Sequence, residues 1–501
     1  MALIDRIKKA VKNLLAGATV TGALTCGAQA KAQDSKPDEV AQGQAEQVSM
    51  PARTLFFDFF NGVMDPENNS GSFANPLDGY DLNTKAWYSA TQLLGKGSDL
   101  LGVKAGLDKG LLARITQLAL LGYLNHGTSY YFHEMAHDYE GRKFGLQKHS
   151  QPDIDFSDWS KGVPAYVQTG VLPPDPILNE EIYVRNITNG LNQEEFQAHF
   201  LYKEQNDKRR VTFDEAVSFL SAKTADIVYL TVANQLKGLS LNETPDYKSI
   251  AIYGDDAPYP TLSNQGLWND IDMYLHHLHR HGIYRIWNTH FNPHTGIPLE
   301  FWDPRAGGIE LTRKQLLNQF ILADALSLRT WESLYAIANY MVTGERSIKP
   351  VTIKLGKTEI TPTLINHYLT PRGSFYNTNT PINIAGKLPL ELNLGHDIDG
   401  LLGPGKVRHI RTGARFDLAY VPVDKNGRAA ALHLRPFVYF NFDRHAKKYV
   451  GYSAGAELSI GVPGAFELMI GLEQNEHDML ENQIKGKEKG LTISAGLKIA
   501  Y

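Results

Sequence analysis

The spacing of apolar residues changes period along this chain. From about Thr84 to Arg346 they recur three and four apart, as in DKGLLARITQLALLGYLNHGTSYYFHEMAHDYEGRKFG, which predicts an amphipathic helix closing near Gly145. LNQEEFQAHFLYKEQ, FDEAVSFLSAKTADIVYLTVANQL, WNDIDMYLHHLHR and RKQLLNQFILADALSLRTWESLYAIANYMV repeat the pattern. None offers about twenty uninterrupted apolar residues, so these segments predict a soluble helical domain. After about Pro350 the period falls to two. Leu388, Leu390, Leu392 and Leu394 share one face of a strand, and Leu491, Ile493, Ala495, Leu497, Ile499 and Tyr501 share another. Repeated over residues 350–501, this alternation predicts about eight antiparallel strands.

One face of these strands is apolar and aromatic; the other carries glycine, serine and charge, including Arg415, Asp417, Arg435, Glu457 and Glu467. Alternation of that kind with a polar inner face is what a membrane-spanning barrel requires. The final alternating strand ends on an aromatic residue, Tyr501, and so resembles the C-terminal signal of bacterial outer-membrane barrels. The expectation is a barrel in contact with outer-membrane lipid, serving as an anchor because so narrow a barrel is filled by side chains. The alternatives are a soluble barrel, or a sheet with its apolar face against helices.

The first residues read differently. Arg6, Lys8, Lys9 and Lys12 precede a short apolar run from Leu14 to Leu24, then alanines in A-x-A spacing. This order predicts a secretory signal peptide over residues 1–32. Cys26, the only cysteine, falls inside it, so the mature chain would form no disulfide. Lipidation of Cys26 is disfavoured by Leu24, two residues before it where a lipobox usually has leucine three before. Residues 33–82 read as a polar linker followed by an irregular arm docking through the phenylalanines of TLFFDFFNGV. The helical domain is expected over 83–349 and the barrel over 350–501. A net charge of -4 gives no basic surface, which argues against nucleic acid as a partner.

The candidate chemistry lies in YFHEMAHDYE. His133 and His137 are four residues apart, so a helix places both imidazoles on one face, able to share a divalent ion such as Zn2+. Glu134 lies about 100° round the helix, positioned to take a proton from a water whose pKa the ion lowers. Asp138 puts a charge directly after the second histidine, where zinc peptidases usually avoid one; it would hydrogen-bond a neighbour of the site instead. The alternative is two partly exposed histidines on a helix surface.

A catalytic zinc needs a third protein ligand. Close to sixty residues after His137, ITNGLNQEEFQAHFLY reads as a new helix capped by Asn192. An HExxH helix followed at that distance by a Glu-aromatic-x-Ala helix resembles the HtpX and CAAX-prenyl-protease class of zinc peptidases, over residues 125–205. That resemblance implies Glu195 as the third ligand, with Glu194 second. His199 stands where the class has aspartate, and would orient a ligand or replace Glu195. Glu194 and Glu195 also suit a plain acidic first helical turn.

The resemblance and the pattern together imply an α+β protein: a mostly α-helical, zincin-like domain followed by an antiparallel β-barrel. The function they imply is a zinc-dependent metallopeptidase acting on protein or peptide substrates, tethered in the bacterial outer membrane with its helical domain in the periplasm. The alternatives are a non-enzymatic outer-membrane protein whose helical domain binds partners or cell-wall material, and a zinc hydrolase of an envelope lipid or amide. A second histidine group, His276, His277, His279 and His281, has no glutamate after its first member and so lacks the water-activating pattern. Tyr130, Tyr274, Arg280 and His290 are further candidate donors.

Overall fold

In the computed structural model the helical periodicity becomes α1 (Tyr80–Ala105), α2 (Leu111–Lys143), α3 (Pro176–Asp207), α4 (Phe213–Lys223), α5 (Ala225–Leu236), α6 (Arg313–Leu326) and α7 (Leu328–Thr343). The described residues are 53–65, 70–73, 80–106, 109–143, 176–236, 270–271, 274–275, 311–370, 373–385, 388–397, 409–420, 431–443, 448–462, 465–475 and 490–500. The expected signal peptide, the polar linker, the cluster at 276–281 and His290 lie outside them. Residues 52–501 form one compact unit.

Local chemistry sets several helix ends. Thr312 and Gln315 make a reciprocal capping box at the start of α6, with bonds of 3.1 and 2.8 Å. Gly344, at φ 83°, ends α7 in the left-handed region that glycine enters without cost. The packing of α2 departs from the usual amphipathic arrangement. Its buried positions Gln117, Leu121, Asn125, Ser129, His133 and His137 step by four along one stripe, and most are polar. Leu112, Ile115, Leu120 and Tyr123 are exposed. Burying polar groups requires partners: Gln117 donates to Ser98 O at 2.7 Å, and Asn125 accepts from Ser218 at 2.9 Å.

Helix α3 is the central element. It does not begin at Asn192 as its sequence suggests; it runs unbroken through that residue from Pro176. The Asn192 amide instead spans the backbone of Leu369, donating to its carbonyl and accepting from its N–H at 2.8 Å each. Around α3, Phe56, Trp87, Tyr88, Leu201, Phe219 and Leu364 form one core cluster. A second cluster joins Ile187, Leu191, Leu230, Phe320 and Leu369 to Ile271, Tyr274 and Leu275.

The strands are β1 (Thr54–Asp65), β2 (Ser70–Phe73), β3 (Val211–Thr212), β4 (Ser347–Ile348), β5 (Ile353–Leu355), β6 (Thr358–Ile360), β7 (Leu364–Thr370) and β8 (Gly373–Ile384). Then come β9 (Leu388–Asp397), β10 (His409–Phe416), β11 (Leu418–Tyr420), β12 (Ala431–Asp443), β13 (Lys448–Val462), β14 (Phe466–Asn475) and β15 (Gly490–Ala500). The short β3 and β4 pair with each other; the other thirteen form one sheet ordered β2-β1-β15-β14-β13-β12-β10-β9-β8-β6-β5, with β7 also on β8 and β11 on β12. The expected irregular arm is therefore largely strand β1, paired antiparallel with β15 from Thr54 opposite Ala500 to Met64 opposite Leu491. Arg53, just before it, is buried between Asp99 of α1, at 2.6 Å, and Asp214 of α4.

The sheet is open among the described residues: β2 ends it on one side and β5 on the other, and these edges do not pair. This overturns the expected closed barrel. The alternation itself is real, but the polar face does not line a lumen. It faces α3 and is matched to it by charge: Lys498 pairs with Glu204 at 3.1 Å and Glu391 with His199 at 3.4 Å. Within the sheet, Arg435 pairs with Glu457 at 2.6 Å and Asp417 at 3.2 Å. The apolar face, with Leu394, Leu434, Phe466 and Leu472, is exposed. No described helix is long and apolar enough to cross a membrane. The outer-membrane anchor, its lipid contact and the periplasmic placement of the helices all depended on closure, and they fall with it.

Candidate metal centre

The two motif histidines are buried in the polar stripe of α2, with ring centroids 4.9 Å apart. The group completing them is Asp270, in a helical stretch whose Ile271, Tyr274 and Leu275 are anchored in the core beside α5 and α6. Asp270 Oδ2 lies 3.4 Å from His133 Nε2 and 3.4 Å from His137 Nε2. One ligand atom from each of the three residues falls within 4.8 Å of the others. Ligands at about 2.0–2.1 Å from a tetrahedral ion stand about 3.3–3.4 Å from each other. The two measured edges match that figure, and two imidazoles with one carboxylate suit zinc.

The surroundings orient each member. Glu194 Oε1 lies 3.2 Å from His133 Nδ1, so Nδ1 donates to Glu194 and Nε2 is the atom turned toward Asp270. The Tyr229 hydroxyl accepts from the Asp270 N–H at 3.2 Å and reaches Oδ2 at 3.4 Å, while its ring stacks on His133. Burial pulls the His133 imidazole down, but Glu194, Asp270 and Glu134 outweigh it and hold it well above the ordinary range. His137 is raised by Asp270 in the same way against its burial. Burial would raise Asp270, yet the two histidines bring it far below the usual carboxylate range. Burial and the charges of Glu194, Glu134 and Asp270 keep the Tyr130 hydroxyl protonated. This concentration of opposite charge is the electrostatic form of a cation site with a proton in the cation's place.

The other sequence-derived residues sit elsewhere. Glu195 receives two bonds from Lys223, at 2.6 and 2.7 Å, and one from Asn366 at 2.7 Å. His199 faces the sheet at Glu391. Glu194 contacts the back of His133, and the side chain of Asp138 lies outside the described residues. Tyr274 is core. Asp270 and Tyr229 were missed by sequence reasoning. The available signal was the Ile271, Tyr274, Leu275 spacing, which docks that stretch and carries the aspartate inward.

Gly190 of α3 makes this packing possible. A Cβ there would lie 2.2 Å from His133 Nε2, so only glycine lets α3 pass so close to the ring. Gly190→Ala is expected to cost about 1–3 kcal/mol by overpacking and to weaken zinc binding about tenfold or more by tilting His133. Thermal unfolding and zinc titration check both; unchanged zinc affinity would refute the close approach.

Comparison with protein-family models, curated proteins and solved structures returns no match. The resemblance to the HtpX and CAAX-prenyl-protease class fails at the third ligand. The carboxylate meeting the histidine pair is Asp270, from outside the matched segment.

Proposed function

We propose that this chain is a metal-dependent hydrolase in which His133, His137 and Asp270 hold a divalent cation and Glu134 is the general base. The observation supporting it is the convergence of two imidazole nitrogens on one carboxylate oxygen, at spacings suited to zinc. When bound, the ion supplies Lewis acidity that polarises a carbonyl and lowers the pKa of water. Glu134 follows His133 on the same helix turn, half-buried, and its charge is felt by both histidines, Tyr130 and Tyr229. It accepts the proton of the attacking water and returns it to the leaving group. Glu194 fixes the His133 tautomer, Tyr229 holds Asp270, and Tyr130 offers a hydroxyl donor to negative charge on the substrate oxygen. The expected envelope peptidase on a membrane barrel is replaced by this narrower reading.

The test is metal content. The purified chain is expected to hold about one equivalent of zinc at pH 8, and Asp270→Ala to bind it at least about a hundredfold more weakly. Affinity falls as pH drops, because both histidines must shed a proton to ligate and their raised pKa values make the proton a strong competitor. Absence of stoichiometric metal at pH 8, or an Asp270→Ala variant that binds as well as wild type, would overturn the reading.

A further inference from the structure

Between the C-terminal end of α3 and the polar face of the sheet lies a cavity of about 1050 Å³. It is separate from the metal centre, since none of His133, Glu134, His137 or Asp270 lines it. Its size admits a small organic molecule. Its lining holds eight lysine and arginine side chains against five carboxylates, a surplus of positive charge.

Much of that charge is already satisfied. Arg435 is held by Glu457 and Asp417, Lys498 by Glu204, and Lys208 by Glu215 at 3.2 Å. Arg209 and Lys349 are exposed to solvent, which leaves Lys203. It is half-buried in the cavity wall, and among the described residues its Nζ has no hydrogen-bond or ion-pair partner. The charge acting most strongly on it is another cation, Arg415. Arg415 is itself under-used: its Nη2 approaches Glu457 only to 3.7 Å and makes no hydrogen bond. Against its burial, Glu457 is drawn well below the ordinary carboxylate range by both cations, yet it hydrogen-bonds Arg435 and leaves donors of Lys203 and Arg415 open to a further anion. Burial and Arg415 bring the Lys203 amine down to about 8, so it is still largely charged at pH 7 and a bound anion would raise it again. Leu390, Phe416 and Phe466 also line the cavity and suit an organic body behind the anionic group.

We propose that this cavity binds a small organic anion whose phosphate or carboxylate group is held between Lys203 and Arg415. The site is independent of the metal reading and stands or falls separately from it.

The full chain is titrated calorimetrically at pH 7 with inorganic phosphate and, separately, with citrate. Saturable binding of at least one is expected, weakened about tenfold in Lys203→Met and largely retained in Lys203→Arg, with zinc content unchanged. Preference for phosphate or for citrate identifies the anionic group. No saturable binding of either up to about 10 mM, or equal binding by Lys203→Met, overturns the proposal. If Lys203→Met does not fold, amine acylation of the wild-type chain at pH 7.5 decides. Lys203 should react faster than the exposed Lys314 and Lys354 and be protected by the anion; labelling of Lys203 that the anion does not change overturns the site.

Discussion

Replacing Glu134 by glutamine is expected to lower turnover by about 10²–10⁴-fold while leaving the metal in place. The amide keeps the side chain's shape and can still hydrogen-bond, but it cannot accept a proton at neutral pH. Glu134 is not among the three residues whose ligand atoms converge, so zinc stoichiometry should not change. His137→Ala gives the contrasting result: it removes one of two neutral nitrogen ligands, and metal and turnover disappear together. The pair of variants separates base from ligand. The measurement is steady-state hydrolysis of a panel of amide and ester probes, with zinc determined by mass spectrometry on the same samples. A Glu134→Gln enzyme within threefold of wild type would remove the general-base role, and one that loses its zinc would place Glu134 among the ligands.

The sequence pattern was informative wherever the decisive physics was local. A four-residue spacing puts His133 and His137 on one helix face whatever surrounds them. Alternation along β12, β13 and β14 correctly groups Arg435, Glu457 and Glu467 on one side of the sheet. What faces that side is a long-range question. A polar face can line a lumen or meet a polar helix, and here it meets α3. Closure depends on whether the edge strands β2 and β5 find each other, and no residue pattern within either strand specifies that. Strand β1 was hard to read because its apolar run is nearly continuous and its register shifts between Asp58 and Phe60.

The choice between Glu194 and Glu195 has a similar cause. Consecutive helical residues point about 100° apart, so one reaches His133 and the other Lys223. Which does which depends on the rotation of α3 about its axis, and that is set by distant contacts such as Asn192 with Leu369. Asp270 had only the apolar spacing of Ile271, Tyr274 and Leu275 to mark it, and that spacing does not name the histidines as its partners. It comes from a separate stretch, more than a hundred residues beyond the histidines, placed by the core packing of its apolar neighbours.

The largest loss of stability is expected at Lys223, behind the metal centre. Its side chain is fully buried, donates twice to Glu195 and pairs with Asp324 at 3.2 Å. Lys223→Met would leave Glu195 with only Asn366 as a donor and return two carboxylates to mutual repulsion in a dry interior. Breaking a buried pair in this way costs about 3–5 kcal/mol, a large share of the 5–15 kcal/mol typical of a folded domain. The damage comes from the stranded charge and not from lost volume, so a compensating change should recover much of it. In Lys223→Met/Glu195→Leu only Asp324 is left of the two carboxylates. Its carboxyl is pushed up to about 7 by burial and so is able to stay protonated, and stability should return to within about 1–2 kcal/mol of wild type. Glu195→Gln provides the link to the metal centre: because Glu195 serves Lys223 and not the histidines, this variant should be less stable yet still bind zinc. Urea unfolding midpoints at constant slope, with zinc titration of each variant, test the set. A double variant no more stable than Lys223→Met would show that the site needs the ion pair itself, and zinc lost from Glu195→Gln would return that residue to the ligand set.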